Sequence, residues 1–259
     1  MPRSYLRLVP LALLSVVLSG CVFFRGQRYE SFITKTPLKD RNTLVIGFLG
    51  GRQAWDNDVE GVRQLALKLR ARNIDGVYIE TAENRKRALA LRLVKASLDH
   101  DNDGRLSDAE RASARIIIYG QSFGGAAVIK FARDLERERI PVLLTVQIDS
   151  VGKDDHMIPA NVRAAANLYQ REGLIRGEDE IRAADPQRTH ILGNVRYRYR
   201  DKQVPLPPRL AWFKRALRSP HVKMNHDPEV WAEVEQLILS TVNGREARLG
   251  SATSPSGAK

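Results

Sequence analysis

Cysteine occurs once in the 259 residues, at Cys21. A lone thiol cannot close an internal disulfide, so a packed core has to hold the fold together. Internal repeats are absent, which excludes a solenoid or propeller. The apolar run from Leu8 to Leu18 is shorter than the roughly 20 residues a membrane-spanning helix needs. Acidic residues are missing from positions 1–20, and over the whole chain 30 acids face 42 lysines and arginines, a net charge of +12. Hydrophobic residues make up 43% and charged residues 28%, which is globular composition with room for one domain and a real core.

The chain starts with Arg3 and Arg7 ahead of that apolar run, then Ser19 and Gly20 before the cysteine. This reads as a secretory signal over residues 1–20. Leu18-Ser19-Gly20-Cys21 resembles the bacterial lipoprotein box, in which the cysteine becomes the acylated first residue. Acylated Cys21 would anchor the protein to the membrane, because two acyl chains suffice for stable attachment. Val22 is not the aspartate that retains lipoproteins at the inner membrane, which points to the outer membrane of a bacterial envelope. In an exported chain the basic excess points to anionic headgroups and not to nucleic acid.

Residues 21–41 have no clean period and read as a tether; residues 244–259 are small and polar and read as a disordered tail. Between them, apolar runs at 43–49, 76–80, 115–120, 141–148 and 190–200 read as strands. Helical patterns lie near 58–72, 84–98, 125–138, 159–171 and 228–242. Ile- and Val-rich strands alternating with helices predict an α/β fold, a mostly parallel sheet with helices on both faces, over residues 42–243. The last strand alternates Val195, Tyr197 and Tyr199 with Arg196, Arg198 and Arg200, as a half-exposed edge does.

Gly120-Gln121-Ser122-Phe123-Gly124 follows an apolar strand and opens a helix, the context in which GxSxG carries meaning. A serine on so sharp a turn sits on strained backbone, and only glycine fits beside it. Gly50 and Gly51 end an earlier strand; their N–H groups, with that of Phe123, are candidate oxyanion donors. The hydroxyl needs a base, and the base a carboxylate, in the chain order Ser, Asp, His. Asp149 ends the strand at 141–148, while Asp155 lies in the loop beyond and is its rival. Asp149 needs less loop folding to reach the site. His221 and His226 both lie ahead of the helix that Asp227 and Pro228 start, and spacing alone leaves them close.

The segments RIIIYGQSFGG, IPVLLTVQIDSVGKDDHMIPANV, AADPQRTHILGN and SPHVKMNHDPEVW together resemble bacterial α/β-hydrolases of the lipase or esterase type. The resemblance implies an α/β-hydrolase-like fold, catalytic Ser122, Asp149 and His221, an ester or lipid substrate, and no organic cofactor. Gln121 stands where such proteins often have histidine. VKMNH is basic where they tend to be acidic, which bears on substrate preference more than on mechanism.

Residues 99–110, DHDNDGRLSDAE, fit an EF-hand-like calcium loop without a gap. Calcium takes six to eight oxygens; here Asp99, Asp101 and Asp103, the Arg105 carbonyl, a water on Ser107 and bidentate Glu110 are the expected set. The loop is unpaired, so weak binding and a structural role are expected. The stretch RYRYRDKQVPLPPRLAWFKRALR before His221 suits a lid or membrane-facing surface, or a solvated face with a few core anchors. The chain thus reads as a membrane-anchored serine hydrolase, with a catalytically silent calcium-binding envelope lipoprotein as the alternative.

Overall fold

A computed structural model describes residues 26–212, 215, 219–245, 248 and 249. The expected signal at 1–20, Cys21 and most of the expected tail lie outside the described residues. Strand β1, Thr43–Leu49, sits inside the sheet with all seven residues buried. Successive side chains of a strand point to opposite faces, so a strand apolar throughout needs cover on both. Its neighbours are β2 (Val77–Glu83) on one side and β3 (Ile116–Gln121) on the other, with β4 (Val142–Ile148) beyond β3. All these pairings are parallel, which demands crossovers. Helices α1 (Gly61–Ala71), α2 (Arg87–Leu98), the short α3 (Asp108–Ala112) and α4 (Phe123–Arg137) supply them.

The crossovers fall on opposite faces. On one, Leu93 and Val94 of α2 and Val128, Phe131 and Leu135 of α4 pack with Phe48 and Ile118. On the other, Val62, Leu65 and Leu69 of α1 join Val45 and Ile117, together with Val230, Val234 and Leu237. Those last three belong to the C-terminal helix.

Beyond β4 the pattern departs from the sequence reading. Two dipeptide strands, β5 (Met157–Ile158) and β7 (Arg182–Ala183), form a small ladder of their own. Residues 159–171, expected to be helical, instead form strand β6, Val162–Tyr169, parallel to β4. The run Ala164-Ala165-Ala166 favours helix in isolation. Here Ala165 and Ala166 are fully buried in opposite core clusters, and burial in the ladder overrides propensity. Strand β8, His190–Arg196, closes the sheet as its edge, ending before Arg200 because the chain turns Tyr199 inward (1% exposed). The loop expected before the last helix holds a short helix, α5 (Pro220–Asn225), followed by α6 (Pro228–Val242).

The tether reading fails for residues 26–41. Gln27 is buried, exchanges hydrogen bonds with Glu83 and donates to the Thr81 carbonyl, Ile33 and Thr34 donate to Glu80, and Phe32 and Leu38 join the core. The segment had few apolar residues in period because it lies on the fold as irregular chain held by side-chain acceptors on β2.

The sheet order is β2-β1-β3-β4-β6-β8, wholly parallel, in an α/β-hydrolase-like fold. From β1 the chain steps outward to β2 and then returns to β3 on the other side. That reversal makes a crevice at the carboxyl ends of β1 and β3, where open α/β sheets place ligands.

Candidate active site

Ser122 lies in that crevice, between β3 and α4, at φ 59 and ψ −126. Such values are sparsely populated for a residue with a side chain and persist only where the surroundings enforce them. Three bonds do so: Ser122 N–H donates to the Ile148 carbonyl (2.9 Å), and its own carbonyl accepts from Val151 (3.1 Å) and Ala126 (3.3 Å). The flanking glycines are there because the turn is tight. A Cβ on Gly120 would stand 2.5 Å from the Gly124 carbonyl oxygen, and one on Gly124 only 2.0 Å from that of Phe48. Any side chain at 124 would push the elbow off β1.

His221 reaches the hydroxyl from α5. Its Nε2 is 3.0 Å from Ser122 Oγ, and its Nδ1 is 2.6 Å from Asp149 Oδ2. The sequence left His221 and His226 open; the structure brings His221 to the serine, while His226 is buried one turn on, its Nε2 3.4 Å from Asn225 Nδ2. The His221 side chain is 14% exposed, Ser122 9% and Asp149 0%, so the carboxylate is the group shut off from solvent. Asp149, at the end of β4, has φ 45, a conformation that aspartate tolerates better than most residues. Asp155 is buried elsewhere: its Oδ2 accepts from Ser150 Oγ at 2.5 Å, and its main-chain carbonyl accepts from Gln147.

Two glutamines complete the arrangement: Gln121, which the sequence marked only as a departure from the hydrolase pattern, and Gln170, which the sequence reading missed. Gln170 Nε2 donates to both Asp149 oxygens (3.2 and 3.0 Å) and to the Ile175 carbonyl. It directly follows β6, and the helical reading of that strand hid its place at the carboxyl rim. Gln121 Nε2 lies 3.4 Å from His221 Nε2, on the side away from Asp149. Behind α5, Asp227 caps α6 and accepts from Tyr199 Oη (2.8 Å) and Lys202 Nζ (2.7 Å). Burial, and then the Asp227 carboxylate, push the Tyr199 phenol well above its usual range, so it stays a donor. Lys223 Nζ ties α5 to the Tyr199 and Lys202 carbonyls, which fixes the helix that carries His221.

Of the expected oxyanion donors, Gly50 lies against the elbow and Phe123 directly follows Ser122. Gly50 follows β1, and a Cβ there would be 3.1 Å from Ser122 Cβ and 3.0 Å from the Gln121 carbonyl oxygen. Asn84 Nδ2 donates to the Leu49 and Gly51 carbonyls and pins the loop, with Gly51 at φ 53. Phe123 is the first residue of α4, so its N–H has no acceptor within the helix and sits at the positive end of the helix dipole.

The 99–110 loop divides its expected ligands. Carboxylate oxygens of Asp99, Asp101 and Asp103 gather within 4.8 Å of one another. Glu110 is turned away, accepting from His100 N–H and from both the N–H and hydroxyl of Ser107. Those Ser107 and His100 donors hold the Glu110 carboxyl down at about 2, and Ser107 in turn caps α3. Arg105 donates its N–H to Asp103. Three close carboxylates on one loop suit a hard divalent cation.

No protein-family model matches the sequence, and no curated protein matches it. Among solved structures, a cutinase-like protein from Cryptococcus sp. aligns over 82% of this chain and all of its own, with 12% identity and TM-score 0.43. RedJ, with a PEG molecule bound in its active site, aligns over 85% and 98% with 11% identity and TM-score 0.37. An uncharacterized protein from Pseudomonas aeruginosa aligns over 60% and 40% with 12% identity and TM-score 0.37. These likenesses are distant, and the chemistry of the site rests on its own geometry. No helix among the described residues is long and apolar enough to cross a membrane.

Proposed function

We propose that the protein is a serine hydrolase that cleaves a carboxylic ester, of a lipid or a small molecule, through an acyl-serine intermediate. The observation that carries this reading is the unbroken chain Ser122 Oγ, His221 Nε2, His221 Nδ1, Asp149 Oδ2, with spacings of 3.0 and 2.6 Å. Ser122 Oγ attacks the ester carbonyl carbon while its proton passes to His221 Nε2. The oxyanion that forms lies against the N–H groups at Phe123 and Gly50–Gly51. Collapse expels the alcohol, which leaves with the proton from Nε2. A water then attacks the acyl-serine, giving its proton to the same nitrogen, and the carboxylic acid departs as Ser122 recovers its hydrogen. Asp149 stays ionised, fixes the ring with Nδ1 protonated, and stabilises the imidazolium. A fluorophosphonate probe should label Ser122, located by peptide mass spectrometry. A folded native protein that resists labelling would favour the alternative, a catalytically silent calcium-binding envelope lipoprotein that acts as a binding module.

The same proposal includes an acyl anchor on Cys21, an envelope location at the outer membrane, and a calcium ion held at Asp99, Asp101 and Asp103. The ion would supply charge neutralisation and hold the loop leading into β3. Calcium at about a hundred times its Kd stabilises by about 2.7 kcal/mol, or roughly 5–10 °C in Tm for a domain of this size. Melting with calcium and with chelator should differ by that amount, and Asp101→Asn with Asp103→Asn should abolish the difference. A Tm indifferent to calcium removes the metal from the account.

A further inference from the structure

The N-terminal segment runs along β2 from its carboxyl end to its amino end. Gln27 bonds to Glu83, the last residue of β2, whereas Asn42, at the other end of the segment, faces Gly76. The chain therefore joins the fold at the carboxyl rim of the sheet, the rim that holds Ser122. Glu83 pairs in register with Leu49, next to Gly50. Two strand spacings separate β2 from β3, about 10 Å. Cys21 lies five residues before Gly26, a link that spans at most about 17 Å.

Exposed apolar side chains collect on the same rim. Leu174 is fully exposed, and Ile175 follows it at 49% on the loop after β6. Neighbouring Gly173 faces Pro220, the residue before His221. Phe123 is 53% exposed beside the nucleophile. Trp212, 75% exposed, lies just past Arg209, which bonds to Asp58 in the loop after β1. Arg28, Arg52, Arg85 and Arg176 are exposed on the rim's loops or beside the point where the chain joins it, and the whole chain carries +12. Apolar tips among arginines match an anionic lipid interface, where aromatic and aliphatic groups insert and guanidinium groups meet phosphates.

Taking these together, we infer that the carboxyl rim docks on the anionic membrane that holds the anchor, so that Ser122 faces that surface and acts on acyl esters within it. The inference rests on the serine-hydrolase reading for its substrate and on an acylated Cys21 for its tether; the docking face rests on the exposed residues. Anchor and mouth on one rim, joined by a short link, hold the site at its own membrane and leave separate membranes out of reach.

The test uses the full-length lipidated protein in vesicles of phosphatidylethanolamine and phosphatidylglycerol, with a polarity-sensitive dye on Leu174→Cys or, as a control, on Asp75→Cys. Asp75 is exposed just before β2, at the opposite rim. The dye at 174 should shift to the blue and be quenched by brominated lipid, and the dye at 75 should show neither. A fluorogenic phospholipid ester should be cleaved at least tenfold faster in the vesicles that carry the protein than in vesicles added separately. Leu174→Asp with Trp212→Asp should remove most of that advantage while a short soluble ester is cleaved as before. Equal dye responses at the two rims, equal cleavage of both vesicle populations, or a native Cys21 without lipid would overturn the inference. A dye that inserts at 174 in a protein whose Ser122 takes no fluorophosphonate would instead leave the docking face standing and refute the hydrolase.

Discussion

Ser122→Ala and His221→Ala are each expected to lower kcat for a p-nitrophenyl ester by about 10⁴- to 10⁶-fold, and the double variant by no more than either alone. The equality follows from the geometry. The hydroxyl is a poor nucleophile until Nε2, 3.0 Å away, accepts its proton, so removing either atom removes the same step. What remains is binding and oxyanion stabilisation from backbone N–H groups, which neither substitution touches. Neither change should unfold the protein: each deletes a polar group, buried at Ser122 and partly exposed at His221, whose removal leaves the elbow glycines and the caps of α5 in place. Far-ultraviolet circular dichroism and melting establish that, and active-site titration of the parent sets the scale. If Ser122→Ala kept more than a few per cent of the parent's turnover, another nucleophile would be at work. If the two variants differed a hundredfold, His221 would not be the base for Ser122.

The parts of the molecule that could be read from the chain are those where local pattern and tertiary role coincide. β1, β3 and β4 are apolar at nearly every position because both faces are covered, and that signal survives without any partner in view. The elbow was legible because its glycines answer a backbone constraint written within five residues. β6 was illegible for the opposite reason: alanine is small enough to serve between two packed strands, yet its intrinsic preference is helical. That one error concealed Gln170, whose importance lies in where β6 ends. The choice between His221 and His226 also turned on geometry absent from spacing, since α5 rotates one ring toward Asp149 and buries the other. Residues 26–41 looked like a tether because their anchoring is polar and long-range, with partners on β2 that no periodicity reveals.

Asp149→Asn is expected to cost about 10⁴-fold in kcat with the fold intact, whereas Asp155→Asn should leave turnover per folded molecule within about tenfold and lower stability by about 1–3 kcal/mol. The contrast comes from what surrounds each carboxylate. Oδ1 of Asp149 accepts from both the N–H and the Nε2 of Gln170, at 3.4 and 3.2 Å. Oδ2 also faces two donors, Gln170 Nε2 at 3.0 Å and His221 Nδ1, but the imidazole is the partner that can turn from donor to acceptor, so an asparagine would keep its oxygen at the Oδ1 position. The new amide nitrogen would then point at His221 Nδ1, donating where the carboxylate had accepted. Nδ1 could answer only as the bare nitrogen, so the proton would sit on Nε2 and no lone pair would face Ser122 Oγ. His221 bonds Asp149 and not Asp155, which accepts from Ser150 Oγ and holds the loop after β4 against the sheet. Its amide variant weakens a buried hydrogen bond and little else. Urea melts and burst-phase titration separate the two effects, since the first reports folded fraction and the second competent sites. A folded Asp155→Asn protein that lost activity as completely as Asp149→Asn would transfer the orienting role to Asp155 and require His221 to turn toward a different loop during turnover.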